Sequence, residues 1–398
     1  MESRKASAER DHSLMPGKVM RVAFVVWNQF QLIQFENLIE RIPGSMVLIM
    51  DRGENMRYFD RSLARKRNFK IIKQRAFATL DGAYDIIFFQ SPFPAMQSFK
   101  ITKLVSLQYG LAKEKHNYGE WRSLADMNLM YGDYSAKRVS HFSPSFPVGN
   151  PKFEFWGDFS MPSHRECRRR EMGLNRHKKT ILYMPTWGTL GSTEDLIDNF
   201  DTISSEYNLI LKLHHNDDYK FDLWSARAKN IGFCQVYSGA FDQLKLLSVA
   251  DLVISDFSGA IFDAVFSKVP VLLYQGNVEK KVGEQKFDRT SLEYLRRHEI
   301  GAVFENAAEL GDAVYRALID RTTLINQASK LRINLFTNEF DGSGCIKNIM
   351  TRIDDLGAGR IPPLTPEQQC VRESIKELRN LKAAEKNRRN RSWRLPWL

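Results

Sequence analysis

Val253-Ile254-Ser255-Asp256-Phe257-Ser258-Gly259-Ala260-Ile261-Phe262-Asp263, followed by the apolar run Val269 to Tyr274, reads as a strand, a short polar loop, a helix and a second strand. The helix begins as soon as the loop ends, which puts Ser258 and Gly259 at its N-terminus. Backbone N–H groups there lack intrahelical partners and can take a phosphate. The same residues also suit an ordinary Ser N-cap on a core helix, and this stretch alone does not choose between the two.

Two more segments end the same way. Ile181 to Leu190 reads as a strand that breaks at Pro185 into a polar loop, and Ile210-Leu211-Lys212-Leu213 ends in His214-His215. In an open parallel sheet, loops at the carboxyl ends of the strands line one crevice, so three such loops predict a shared ligand site. His214 follows the alternating Leu211 and Leu213, which aims its imidazole into that crevice. A histidine hydrogen-bonded at a strand end is the plainer alternative.

Further strands are expected at Val22 to Trp27, Val47 to Met50, Ile71 to Ile72, Asp85 to Gln90, Val105 to Gln108, Met127 to Tyr131 and Ser145 to Val148. The later ones lie near Thr180 to Met184, Leu209 to Leu213, Leu252 to Ser255, Val269 to Tyr274 and Ala302 to Phe304. Alternation with helical patterns such as Phe35 to Ile42 predicts an α/β fold of two doubly wound, Rossmann-like domains. At 398 residues two domains are expected rather than one. The expected divisions are a disordered 1–19, a first α/β domain over 20–148, a second α/β domain over 149–364 and a basic helix and tail over 365–398. Trp27-Asn28-Gln29-Phe30-Gln31 lacks the glycines of a dinucleotide fingerprint, so the first domain is not expected to hold a nucleotide.

The apolar fraction of 43% and charged fraction of 26% are those of a globular protein. No run reaches the roughly 18 apolar residues that cross a bilayer, and the first residues lack the apolar core of a signal peptide. A cytoplasmic location is therefore expected. Cys167, Cys234, Cys345 and Cys370 show no paired short spacing, which argues against a zinc site and a disulfide framework. The net charge of +11 is concentrated at one end: nine Lys and Arg face three Glu between Val371 and Arg394. No nucleic-acid-binding module is recognisable in the first 350 residues, so a nucleic-acid partner is not expected. The C-terminal cations, with Trp393 and Trp397, have the composition that binds an anionic membrane surface. A solvated helix folded back on the first domain is the alternative for this segment.

Tyr183-Met-Pro-Thr-Trp187, Leu211-Lys-Leu-His214, Ser255-Asp-Phe-Ser258 through Asp263, Asp341-Gly-Ser343 and Pro147-Val-Gly-Asn-Pro151 together resemble the bacterial CDP-glycerol glycerophosphotransferase family, the polymerases and primases of teichoic-acid-like polymers. The resemblance covers most of residues 100–350. It implies a B-type glycosyltransferase architecture with donor in the second domain and acceptor in the first. It further implies a CDP-linked alditol donor, a lipid-linked or polymeric acceptor, release of CMP, no cofactor and no metal, at the inner face of the cytoplasmic membrane.

Carried onto this chain, the family pattern implies that His214 binds the donor pyrophosphate and stabilises charge developing there; His215 stands where the family usually has proline and is also expected on the donor side, with either imidazole able to face the phosphate. Ser255, Ser258 and Gly259 would cradle the diphosphate. Asp256 would cap the loop or helix, Asp263 would order neighbouring groups or a ribose hydroxyl, and contact with the donor is the equal alternative for both. Thr186, Trp187 and Thr189 would face phosphate or substrate, and Ser343 would begin a helix adding a further donor. Where the family often carries Arg, this chain has Gly188; Lys212 is the expected replacement charge. On the acceptor side, Gln108, Tyr109 and Gly110 occupy the family's strand-His-Gly pattern, whose His is taken as the general base. A phenol with a reference pKa of ~10 is a poor base at neutral pH, which leaves His116, Glu114 and His141 as sequence-adjacent substitutes. The rival readings are a glycosyltransferase using a nucleotide sugar in capsule or lipopolysaccharide synthesis, and an inactive scaffold of a surface-polymer complex.

Overall fold

The computed structural model describes residues 20–53, 59, 67–276, 278–281, 287–337 and 342–392. The expectations for residues 1–19, Asp341, Trp393 and Trp397 fall outside that set.

Two all-parallel sheets carry the fold. The first holds β1 (Val22–Val26), β2 (Met46–Asp51), β3 (Phe69–Lys73), β4 (Ile86–Phe89), β5 (Lys103–Leu107), β6 (Met127–Met130) and β7 (Ser145–Pro147), in the order β3-β2-β1-β4-β5-β6-β7. The second holds β8 (Thr180–Tyr183), β9 (Asn208–Lys212), β10 (Gln235–Tyr237), β11 (Leu252–Ser255), β12 (Val271–Tyr274) and β13 (Ala302–Phe304), in the order β10-β9-β8-β11-β12-β13. Central strands such as β1, β8 and β11 are buried at every position, as expected where helices cover both faces of a parallel sheet. That is why they read in sequence as unbroken apolar runs. β10, a three-residue, half-buried edge strand, was not expected from the sequence.

Strand order reverses between β8 and β11, and such a switch point opens a crevice at the carboxyl ends of the strands. The register pairs Ile254 with Tyr183, so the loops that begin at Met184 and Asp256 leave the sheet close together. In the first domain, the helix Gln29–Arg41 starts earlier than the apolar pattern shows. Asn28 caps it, its side chain accepting from the Gln31 N–H.

The chain returns to the first sheet at its end. Ile346, Ile349 and Ile353 of the helix Cys345–Gly357 pack with Val22, Phe24 and Phe35 of the first domain, although the expected divisions grouped this helix with the second. Pro366–Ser392 follows as one long helix. Its first turns lie on the first domain through Gln368 Nε2 donating to Ser140 O at 2.6 Å and Arg372 Nε donating to Ser123 O at 2.7 Å. No helix among the described residues is long and apolar enough to cross a membrane.

Candidate functional site

Asp256 builds the floor of the crevice. Its buried carboxylate accepts from the Thr186 N–H at 2.9 Å, the Ser192 N–H at 2.9 Å and the Ser192 hydroxyl at 2.7 Å, which ties the loop after β8 to the loop after β11. Ser255, also buried, donates its hydroxyl to Met184 O at 2.6 Å. Ser255 and Asp256 therefore shape the two loops and do not present their side chains to a ligand. For Ser255 this differs from the cradle expected from sequence: the residue is the last of β11 and its side chain is spent on Met184 O, just past the end of β8.

Above that floor lies a cavity of about 110 Å³ between the two domains, bordered by Ser258, Gly259, Lys212, His214, Lys152 and Tyr109. Lys212 is buried and donates to Gly239 O at 3.0 Å. Burial pulls its pKa down to about 8, against the opposing pull of Asp218. Lys152 is buried as well, and its ammonium lies 2.7 Å from Asp263, whose second oxygen accepts from Gln243. Asp263 thus orders cations and amides around the cavity, one of the two roles expected for it. Lys152 was not singled out from sequence. It directly follows the Pro147–Pro151 segment, and nothing local signals its reach to Asp263. Ser258 accepts from the Ala260 N–H at 3.3 Å and so combines a cap with a place on the cavity wall.

Both histidines border the cavity. The Nδ1 of His214 accepts from the Asn216 N–H at 3.1 Å, which places a neutral ring's proton on Nε2 and makes that atom a donor. His215 stacks on His214, with centroids 4.2 Å apart, and on Phe30 of the first domain at 5.6 Å and 12°. Gly239 permits this position, because a Cβ there would stand 2.1 Å from the His215 backbone nitrogen. A second cavity, about 470 Å³, opens next to the first and shares His215 with it. Trp27, Trp187, Gly188 and Tyr219 line it. Trp187 lies there and beside His214, whereas Thr186 is buried below and accepts from Lys113 Nζ at 3.2 Å. Gly188 takes a positive φ of 59°, a conformation that disfavours the longer side chain anticipated at this position.

The expected acceptor-side groups separate. Tyr109 borders the first cavity with Gly110, and burial raises its phenol well above the usual value. Gln108 is buried and committed to the backbone, accepting from the Tyr131 N–H at 2.7 Å and donating to Gly110 O at 3.0 Å. Glu114 points away from both cavities into an ion pair with Arg138 at 2.7 Å and accepts from the Tyr134 hydroxyl at 2.7 Å. His116 and His141 are exposed and border neither cavity. Sequence adjacency to Tyr109 misled here, because the chain after Gly110 runs along the first domain toward Ser291 and Glu293. Ser343 is exposed, and the helix that begins after it is capped by the Glu154 carboxylate. That group accepts from the Gly344 N–H at 3.2 Å and the Ile346 N–H at 3.0 Å. A carboxylate at this N-terminus leaves no place for the phosphate expected there.

Two Rossmann-like domains facing one cationic cleft define a GT-B-like protein. Within that class, a family profile described as CDP-Glycerol:Poly(glycerophosphate) glycerophosphotransferase matches residues 141–342, and the chain belongs to this family. It is 29% identical over 133 residues to a teichoic acid poly(glycerol phosphate) polymerase of Bacillus spizizenii, covering 29% of this chain and 33% of the relative. It is 28% identical over 181 residues to the protein of the same name from Bacillus subtilis, covering 42% and 24%. The matched segments thus span a third or less of these relatives. The fold is similar to that of the wall teichoic acid polymerase TagF, with TM-score 0.58 at 15% identity over 84% of this chain and 90% of that one. It is also similar to a putative UDP-N-acetylglucosamine 2-epimerase from Listeria monocytogenes, with TM-score 0.56 at 13% identity over 87% and 99%.

Proposed function

We propose that this chain transfers glycerol phosphate from CDP-glycerol to a hydroxyl of a lipid-linked or polymeric teichoic-acid-type acceptor, releasing CMP. The observation that carries the reading is the pair of buried lysines, Lys212 and Lys152, bordering the cavity between the two domains, in a chain of this family. Lys212 and Lys152 would offset the diphosphate charge, and the His214 Nε2–H, Ser258 and Gly259 would donate to its oxygens. Phosphoryl transfer rests mainly on such positioning and charge stabilisation. A nucleotide-sugar donor would suit the same fold, but the family match favours CDP-glycerol. The enzyme would work at the inner membrane face, held there by the basic C-terminus.

Thermal stabilisation by nucleotides tests this, because a ligand of the folded state alone raises the melting temperature. CMP and CDP-glycerol should stabilise the protein more than UDP or GDP, and His214→Ala should reduce the CMP effect. Stabilisation by UDP alone would favour the sugar-nucleotide reading.

A further inference from the structure

Next to the first cavity, the polar contacts that join the two domains centre on one buried carboxyl. From Tyr109, Gly110 and Leu111 in the cavity wall, the chain continues to Ala112, which faces the 256–259 loop: a Cβ on Gly259 would stand 3.6 Å from the Ala112 Cβ. The next two amides cross to the second domain. The Lys113 N–H donates to Glu293 Oε1 at 2.8 Å, and the Glu114 N–H donates to the Ser291 hydroxyl at 3.0 Å. Lys115 lies 3.5 Å from Asp288. Lys113 takes a left-handed φ of 57°, a conformation that is costly for a residue with a side chain and persists only where the surroundings enforce it.

Glu293 is 3% exposed, and its Oε2 has no hydrogen-bond partner among the described residues. Four residues on, the buried Arg297 donates to Asp256 O at 2.9 Å and Tyr274 O at 2.6 Å, which ties the same segment to the floor of the cleft. A buried carboxylate with one oxygen unpaired is costly as an anion. Burial pushes Glu293 up to about 7, against the pull of backbone N–H groups and the Lys113 charge, and Glu114 adds to the rise. Arg297 faces it from its own segment, and Glu114 is itself paired with Arg138.

We propose that Glu293 is a positioning residue that works as a proton-controlled latch between the domains: protonated, it stays buried on the Lys113 N–H and holds the cavity wall against the 256–259 loop; ionised, it leaves for water and lets the domains part. Two domains joined by polar contacts are free to move in this way. The latch stands on the interface alone, whatever donor the cleft takes. Once parted, the carboxyl returns toward its usual 4.5, so the closed state holds a proton that the open state lacks. Closure is therefore favoured at low pH and weakens on the order of tenfold as pH rises from ~5.5 to ~8.

Hydrogen–deuterium exchange of the full chain tests this without substrate. Protection of peptides covering 111–116, corrected for the intrinsic pH dependence of exchange, should fall on the order of tenfold between pH ~5.5 and ~8, while peptides from β5 and β11 stay protected. Glu293→Gln keeps an acceptor oxygen but cannot ionise, and should hold the low-pH protection across the range. Ser291→Ala removes the contact that does not titrate, and should lower protection at every pH with the pH dependence kept. Wild-type protection that does not fall with pH overturns the latch, as does parallel loss in β5 and β11, which would make the opening global. The same fall in Glu293→Gln, low protection of that variant at every pH, or a flat profile in Ser291→Ala overturns it too.

Discussion

Lys212 meets two opposed demands. Burial holds its folded-state pKa near 8, below the unfolded reference of 10.5, so the unfolded chain binds more protons between those values. Stability therefore rises with pH through that window, and the full cost of burying the cation is present below it. Lys212→Met should stabilise the free protein at pH 7 by about 1 kcal/mol or more in urea titrations. The same change should weaken CMP binding at least tenfold, or about 1.4 kcal/mol. In the wild type, CMP affinity measured by calorimetry should decline as pH rises through about 8, where Lys212 loses its charge. Tyr109 gives the opposite expectation: its raised pKa keeps it protonated, and Tyr109→Phe should retain most turnover. Near-complete loss with intact CMP binding would make the phenol catalytic. Lys212, His214, Ser258 and Gly259 were legible because strand patterns end at them and local geometry aims them. Lys152 and the isolation of Glu114, His116 and His141 were not, since those follow from contacts between separated segments of the chain, such as Lys152 with Asp263 and Glu114 with Arg138, that no local pattern records.

The loops at the switch point depend on one side chain. Asp256 accepts three hydrogen bonds from Thr186 and Ser192 in the loop that follows β8. Asp256→Ala would leave buried donors without partners at ~1–3 kcal/mol each. We expect a loss on the order of 3 kcal/mol in chemical denaturation, together with loss of CMP binding. Glu154→Ala separates structure from ligand binding. It removes the cap of the helix Cys345–Gly357 and should cost about 1 kcal/mol, with CMP affinity unchanged. A fall in CMP affinity in that variant would return this helix to the donor site. The elements themselves were readable because central parallel strands are apolar throughout. What a helix terminus faces was not readable: Glu154 meets Gly344 from 190 residues away.

At the scale of the whole molecule, the last segment joins the domains. Cys345–Gly357 completes the first core, and Pro366–Ser392 lies over the first domain through Gln368 and Arg372. Deleting residues 366–398 should therefore destabilise the protein, whereas deleting only 388–398 should leave its melting transition in place. The shorter deletion should reduce flotation with vesicles of anionic lipid, and added salt should do the same by screening. Equal flotation of both proteins would remove the tail as an anchor. The central claim concerns the reaction itself. The direct measurement is incubation of the full chain with CDP-glycerol and a synthetic lipid-linked glycerol phosphate, with products resolved by mass spectrometry. We predict CMP and an acceptor lengthened by one glycerol phosphate through a new phosphodiester. An unchanged acceptor with CDP-glycerol, alongside glycosylation of that acceptor from a nucleotide sugar, would contradict the account.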